Sequence, residues 1–323
     1  MEIIQRQLIF DTIPGRPSSH CATLTELADG AILAAWYSGT HEGHADVALM
    51  AARYEHERWS APWVLHDTPG LSDGNPLLYT LPDGTVVLWF VTIQGRGWDT
   101  ARPYWRRSPD GGRTWTAPER CGDRDGLMFR CRPLRLSSGR LVLPGYDEVT
   151  WQGLPLLSDD DGGTWRESGR MIAPEGCIQP ALVEREDGSL LAYLRTGGAG
   201  GCIWESRSTD GGASWSACVA TDLPNPNAGL DLLRLVDGRL LLAYNPLRQG
   251  RHRLALAVTA GTGWDSVELE HEPGAEFSYP ALLQARSGRC HLVYTHRRES
   301  IKHVIMDPQS PHARERLTDE RGR

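Results

Sequence analysis

The sequence predicts an all-β chain folded as a six-bladed β-propeller, and three observations carry that expectation. An Asp-Gly or Ser-Gly turn followed by an apolar run occurs six times: "LADGAILAAWY" (27–37), "LPDGTVVLWFV" (81–91), "LSSGRLVLPGY" (136–146), "REDGSLLAYLR" (185–195), "LVDGRLLLAYN" (235–245) and "ARSGRCHLVYT" (285–295). A second repeat, "SPDGGRTW" (108–115), "SDDDGGTW" (158–165) and "STDGGASW" (208–215), keeps a period of fifty residues. No apolar stripe of helical period runs long enough for a helical solenoid.

The first repeat supplies the inner hairpin of each blade. Asp-Gly between two apolar segments marks a tight hairpin, because Gly accepts the positive φ that a primed turn demands. The strand after each turn, as in "LLLAY" or "TVVLWF", is apolar without alternation and must be covered on both faces. Radially stacked four-stranded blades provide that cover, and about fifty residues make one blade. The second repeat follows each apolar strand by twenty to thirty residues, which places it at the turn between the two outer strands. There Asp can bond its own backbone, Gly supplies left-handed geometry, and Trp can fill the gap to the next blade. A ladder of Trp59, Trp115, Trp165, Trp215 and Trp264 follows, and it accounts for much of an unusual twelve Trp against four Phe.

Length and composition fit one propeller domain over residues 1–323. Net charge is −7 without a basic run, which argues against nucleic acid as a partner. The N-terminal "MEIIQRQLIFDTIPGR" has no apolar stretch of signal-peptide length, and no run is long enough to span a membrane. Seven scattered cysteines show no ligand spacing, so reduced, buried thiols in a cytoplasmic protein are expected, with no metal and no cofactor.

If both turns of each blade lie on one face, the starts of the first strands and the ends of the second strands share the other, around the axis. The strand starts offer His20, Asn75, Arg130, Arg132, Gln179, Asn227, Asp231 and Tyr279. The second strands end at Glu42 and Asp46, Glu148, Arg195, Asn245, and Tyr294 with Arg297 and Arg298. Carboxylates, guanidiniums, a phenol and an imidazole converging on one rim predict a pocket there.

The octets are Asp boxes, and with them the chain resembles the sialidase (neuraminidase) superfamily. "SYPALL" puts Tyr279 where that superfamily carries its nucleophile, and Glu42 or Asp46 falls where it carries its acid/base. The resemblance departs at two places. The first arginine of the family's carboxylate-binding triad, in an "R-I-P" segment, is replaced near His20, with Arg16-Pro17 slightly upstream. Gln179 stands near the position of the Tyr-activating Glu. The chain is most similar to divergent BNR-repeat members, a likeness extending through "IKHVIMDP" (301–308). It implies a glycoside hydrolase for an acidic or deoxy sugar, with Glu42 as acid/base, Tyr279 as nucleophile and Arg132, Arg195 and Arg297 on the substrate anion. Two alternatives stand beside it. A uronate lyase would exchange protons through His20 and Tyr279 while Arg132, Asn75 or Gln179 holds the carboxylate. A glycan-binding propeller would use the rim for contacts alone.

Overall fold

A computed structural model describes residues 1–261 and 263–309. Almost every element is a strand, and the strands run as antiparallel meanders. Blade 1 comprises Ser18–Glu26, Ile32–Gly39 and Ala48–Glu55, with Arg58–Trp59 and Trp63–His66 both paired to the third strand. Blade 2 follows as Ser72–Thr80, Val86–Ile93, Ala101–Ser108 and Glu119–Arg120. Blade 4 is Cys177–Glu184, Leu190–Thr196, Cys202–Ser208 and Val219–Pro224; blade 5 is Asp231–Arg234, Leu240–Tyr244, Arg253–Ala260 and Gly263–His271.

Between them lie two short sheets. Leu127–Phe129 pairs with Gly145–Asp147, and Leu134–Arg135 pairs with Leu141–Leu143. The two pairs are one hairpin interrupted at residues 130–133 and at Pro144, so we count them as a single blade 3. The last blade is built from both ends of the chain. Phe277–Gln284, Cys290–His296 and Ser300–Asp307 take Glu2–Leu8 as their outer strand, with Glu2 opposite Asp307 and Leu8 opposite Lys302. That N-terminal contribution is invisible to a repeat search, because Glu2–Leu8 precedes the first repeat.

The six turn glycines join first to second strands, and the octets join third to fourth, as the repeats predict. In the octets the buried serine matters as much as the aspartate. Ser108, Ser158 and Ser208 each donate a hydroxyl to the box aspartate at 2.7–2.9 Å and accept the N–H of the residue four positions on, Gly112, Gly162 and Gly212, at 2.8–2.9 Å. Gly112 has φ +86°, and a Cβ there would meet Leu33 of blade 1 at 2.8 Å. Blades are stitched at the same place: Arg107 donates to the Gly162 carbonyl at 3.1 Å and Arg140 to that of Gly211 at 3.1 Å. Trp115 packs beside Leu33 and Leu88, Trp165 beside Trp89, and Trp215 beside Leu157, each between its blade and the one before.

Among the described residues no helix is long and apolar enough to cross a membrane. All seven cysteines are buried and unbridged; Cys177 and Cys218 approach to 3.7 Å between sulfurs.

Two stability tests follow from these contacts. Replacing Ser108, Ser158 or Ser208 by Ala leaves a buried glycine N–H without its acceptor and is expected to cost about 1–3 kcal/mol each. The Ser108 and Ser208 losses should add, since those two boxes share no partner, whereas Arg140 links the second box to the third through Asp159 and the Gly211 carbonyl; denaturant titration of the single variants and of the Ser108→Ala/Ser208→Ala double variant checks both. The second concerns the seam between blades 6 and 1. Trp59 Nε1 donates to His303 Nδ1 at 3.2 Å, so His303 Nε2 carries the proton that it donates to His291 Nδ1 at 3.0 Å. Burial lowers both imidazoles, His291 to about 4 and His303 well below its ordinary value. The unfolded chain therefore takes up protons near pH 6.5 that the folded chain refuses, and stability is lost as pH falls through that value. The fall in Tm from pH 6.5 to 4.5 is expected to be shallower in His291→Gln, by about 2 kcal/mol in unfolding free energy. Equal falls would mean that this pair does not set the acid response.

Candidate active site

The inner strands share one irregularity. In blades 1, 2, 4 and 6 the first strand gains one residue on its partner, between His20 and Thr23, Gly74 and Leu77, Ile178 and Ala181, and Ser278 and Ala281. Inside each of these bulges one side-chain-bearing residue adopts a left-handed backbone: Cys21 at φ 55°, Asn75 at 45°, Gln179 at 56° and Tyr279 at 52°. Asn227 takes φ 59° just ahead of the first strand of blade 5. A bulge breaks the alternation of a strand and re-aims a side chain. Left-handed geometry in residues other than glycine costs free energy and collects at functional sites. Here it turns Asn75, Gln179, Asn227 and Tyr279 into one cavity of about 310 Å³ on the axis.

Tyr279 occupies its floor. Its hydroxyl accepts a hydrogen bond from Arg195 Nη1 at 2.7 Å, and Arg130, Arg251 and Arg195 bring guanidinium carbons within 5.1, 5.5 and 5.8 Å of the ring centre. Arg130 lies below, fully buried, donating to the carbonyls of Leu230 at 2.6 Å and Pro280 at 2.5 Å. Arg195 continues through Nε to Asn227 Oδ1 at 2.6 Å. Arg251 donates to Glu276 at 3.0 Å and to the Asn227 carbonyl at 2.8 Å. Arg298 donates to Glu276 at 2.8 Å and to Glu42 at 2.6 Å. A guanidinium has five N–H groups, so all three rim arginines keep donors for a ligand.

The walls complete the picture. Trp98 donates its indole N–H to Glu42 at 3.0 Å, and Trp151 lies under Arg195, ring centre 5.6 Å from its guanidinium carbon. Tyr146 accepts hydrogen bonds from Asn75 at 2.8 Å and Gln179 at 3.4 Å, while the other amide atom of Gln179, its Oε1, is buried without a partner. Glu148 closes the ring of lining side chains.

Of the residues picked from the sequence, Glu42, Asn75, Gln179, Arg195, Asn227, Tyr279 and Arg298 line this cavity, as does Glu148. The others lie elsewhere. His20 is 1% exposed beneath Tyr279, 4.3 Å between ring centres, and shares a hydrogen bond of 2.8 Å with Thr295. Burial, reinforced by Arg298, Arg251, Arg130 and Arg195, keeps its imidazole well below the ordinary value and therefore neutral. Asp46 ties off its own loop by accepting from Thr40 at 2.6 Å and His44 at 2.6 Å. Burial alone would raise its carboxyl; those bonds outweigh it and hold the group well below the usual range. Arg16 also serves this loop, donating to the Ser38 and Asp46 carbonyls.

Asp231 is buried and accepts the N–H groups of Leu232 at 2.9 Å and Leu282 at 2.7 Å, joining blade 5 to blade 6. Asn245 and Tyr294 are similarly absorbed, by the Arg253 and Phe277 carbonyls and by Glu270. Arg297 sits in an exposed turn, paired with Glu272 at 2.5 Å. Arg132 lies with Thr25 and Arg286 in a different cavity, among the ends of the first strands and the hairpin turns after them. Sequence reasoning missed Arg251, Trp98, Trp151 and Tyr146. The first three stand in the connections from second to third strands, on the same face, and an Arg-rich "LRQGRHR" (247–253) was the available signal. Among the described residues no group of three or more His, Cys, Asp or Glu is placed to hold a metal ion.

Residues 30–292 match the family model described as a BNR repeat-like domain. In sequence the chain is similar to an anhydrosialidase of Macrobdella decora, 29% identical over 179 residues, covering 49% of this chain and 23% of that protein. It is also similar to a sialidase of Micromonospora viridifaciens, 24% identical over 343 residues, covering 90% of this chain and 52% of the other. It thus spans about half the length of the second relative and less of the first. Among solved structures, the Hadza microbial sialidase Hz136 shares the fold with a TM-score of 0.76 at 18% identity, over 90% of this chain and 66% of that one.

Proposed function

The chain belongs to the BNR repeat-like family, within the sialidase superfamily, and from that premise we propose that it is a glycoside hydrolase acting on a sugar that carries a carboxylate. The observation that supports this reading is the set of three guanidiniums, Arg195, Arg251 and Arg298, reaching one cavity from blades 4, 5 and 6 with the Tyr279 hydroxyl among them. A planar guanidinium meets a carboxylate through two parallel bonds. Three from separate directions fix both the position and the plane of the sugar's anionic group. That orientation delivers the anomeric carbon to Tyr279.

In the reaction the tyrosyl oxygen bonds to the anomeric carbon as the glycosidic C–O bond breaks; its electron pair stays on the aglycone oxygen, which takes up a proton to leave as an alcohol, and the Tyr279 proton passes to solvent. Water then attacks the same carbon, the tyrosyl oxygen leaves and regains a proton. Negative charge that develops on this oxygen meets the Arg195 N–H at 2.7 Å, with Arg130 and Arg251 close by. Fixed cations aimed at developing charge act without reorganisation during the step. Gln179 cannot serve as a base, so electrostatic stabilisation by arginine takes the place of a carboxylate partner.

The experiment is a screen of α-linked aryl glycosides of carboxylated sugars against neutral analogues. Release of the aryl alcohol from the acidic series alone is expected, and Tyr279→Phe should abolish it. Arg251→Lys should lower kcat/KM by about ten- to a hundred-fold, the worth of a charge-assisted bond. Arg132→Lys and Arg297→Lys, placed outside the cavity, should leave it within about two-fold. Ultraviolet absorbance from an unsaturated product would instead identify a lyase, and equal loss on acidic and neutral substrates would remove the arginines from anion recognition.

A further inference from the structure

Two carboxylates line the cavity, and their surroundings differ. Glu42 is engaged on both oxygens: Oε1 accepts the Trp98 indole N–H at 3.0 Å and Oε2 accepts Arg298 at 2.6 Å. Glu42 therefore already serves as the acceptor that holds Trp98 and Arg298 in place. Glu148 is held differently. It follows the strand Gly145–Asp147, its backbone N–H is spent on the Gly126 carbonyl at 2.8 Å, and among the described residues its carboxyl has neither a hydrogen-bond partner nor an ion pair. It is half-buried at the cavity wall, where Tyr146 and the Arg195 guanidinium of blade 4 also line the cavity and where its charge is felt by both.

The charges around Glu148 can be enumerated. Burial pushes its carboxyl up from the ordinary value and Arg195 draws it back; Asp99 from the blade 2 loop, its neighbour Asp147 and Glu42 from blade 1 push it up again. Asp147 is committed to Arg170 at 3.1 Å, so it repels without taking up the proton. A carboxyl group raised by burial and left without a hydrogen-bond donor at a cavity wall is suited to carry a proton for transfer.

Resting on the glycosidase reading above, we propose that Glu148, and not Glu42, is the proton donor to the leaving oxygen. The Glu148 O–H proton moves to the glycosidic oxygen while the anomeric C–O bond breaks and its electron pair stays on that oxygen. The aglycone leaves as a neutral alcohol and Glu148 is left as a carboxylate. In the second half-reaction that carboxylate takes a proton from the attacking water as the water oxygen bonds to the anomeric carbon, and the acid is restored. Glu42 then acts as a positioning residue: it fixes Arg298 and Trp98.

The test compares wild type, Glu148→Gln and Glu42→Gln on two α-glycosides of one carboxylated sugar. One carries 4-nitrophenol, which departs without a proton, and the other an aliphatic sugar alcohol, which needs one. Glu148→Gln is expected to lose about 10²–10⁴-fold in kcat on the aliphatic glycoside, the range of general acid catalysis, and less than about ten-fold on the nitrophenyl glycoside. The alkaline limb of kcat/KM on the aliphatic substrate should vanish in Glu148→Gln and persist in Glu42→Gln. If Glu42→Gln instead shows the leaving-group-dependent loss while Glu148→Gln falls equally on both substrates, the assignment is overturned and the glycosidase reading stands. If wild type cleaves neither glycoside, both fall together. A readout independent of turnover is carbon-13 NMR of labelled glutamate carboxyls. A resonance that titrates above the ordinary glutamate value and disappears in Glu148→Gln is expected, and its absence would overturn the proposal.

Discussion

One extra residue in an inner strand, repeated around the axis, is what the cavity depends on. Without the bulge, the period of a strand would send neighbouring side chains alternately into the two inter-blade cores, and the floor of the cavity would lose Asn75, Gln179 and Tyr279. With it, Asn75, Gln179 and Tyr279 leave the alternation in a left-handed backbone and face one another across the channel. The strain is carried by long strands on either side of each bulge, such as Ala181–Glu184 against Leu190–Tyr193 in blade 4. Cys21 shows the same geometry put to another use, since its N–H bonds the Thr295 hydroxyl that also holds His20. In blade 3 the constraint goes further and splits the sheet, and the interruption is where Arg130 enters the channel.

Charge in the cavity is organised by sharing. Glu276 accepts from Arg251 and from Arg298, and Glu42 accepts from Arg298 and Trp98. Each cation is partly neutralised and mechanically braced, yet none is used up. Guanidiniums that were wholly paired would bind no anion, and guanidiniums wholly free would repel one another and wander. The carboxylates of the rim therefore act on the arginines first. Arg130 completes the balance from below, its charge met by carbonyl dipoles rather than by a carboxylate within hydrogen-bond range.

The scaffold was legible in the sequence because its signals are local and repeated. A Gly that must take φ near +90°, as at Gly30, Gly84 and Gly238, leaves the same mark in each copy. The strand-start rule also reached most of the cavity floor, since those residues sit at a fixed offset from the turn glycines. It failed where parity matters: Arg130 and Arg132 are two residues apart and looked equivalent, but the break in blade 3 sends one into the channel beneath Tyr279 and the other to a different cavity. It also failed for His20, Asp46 and Asp231, polar residues whose bonds go to neighbouring chain segments and whose burial no single sequence reveals. Arg251, Trp98 and Trp151 come from connections of unequal length, where no period exists to read. The partner choice of Glu2–Leu8 was hidden for a related reason, since its match lies some three hundred residues away.

That last pairing has a consequence for how the molecule is made. Blades 1 to 5 use only strands contiguous in the chain, so each can assemble soon after it leaves the ribosome. Glu2–Leu8 precedes every repeat and has no partner until Ser300–Asp307, some three hundred residues later, has been synthesised. Over that interval it waits for its blade, carrying Ile3 and Ile4 beside Gln5 and Arg6. Closure of the ring is thus a late event of very high contact order, the kind that limits folding rate. Unclosed, blade 6 offers an open edge to any other strand. The polar residues of "EIIQRQL", Glu2, Gln5, Arg6 and Gln7, suit a segment that must stay soluble alone and then find one edge among many.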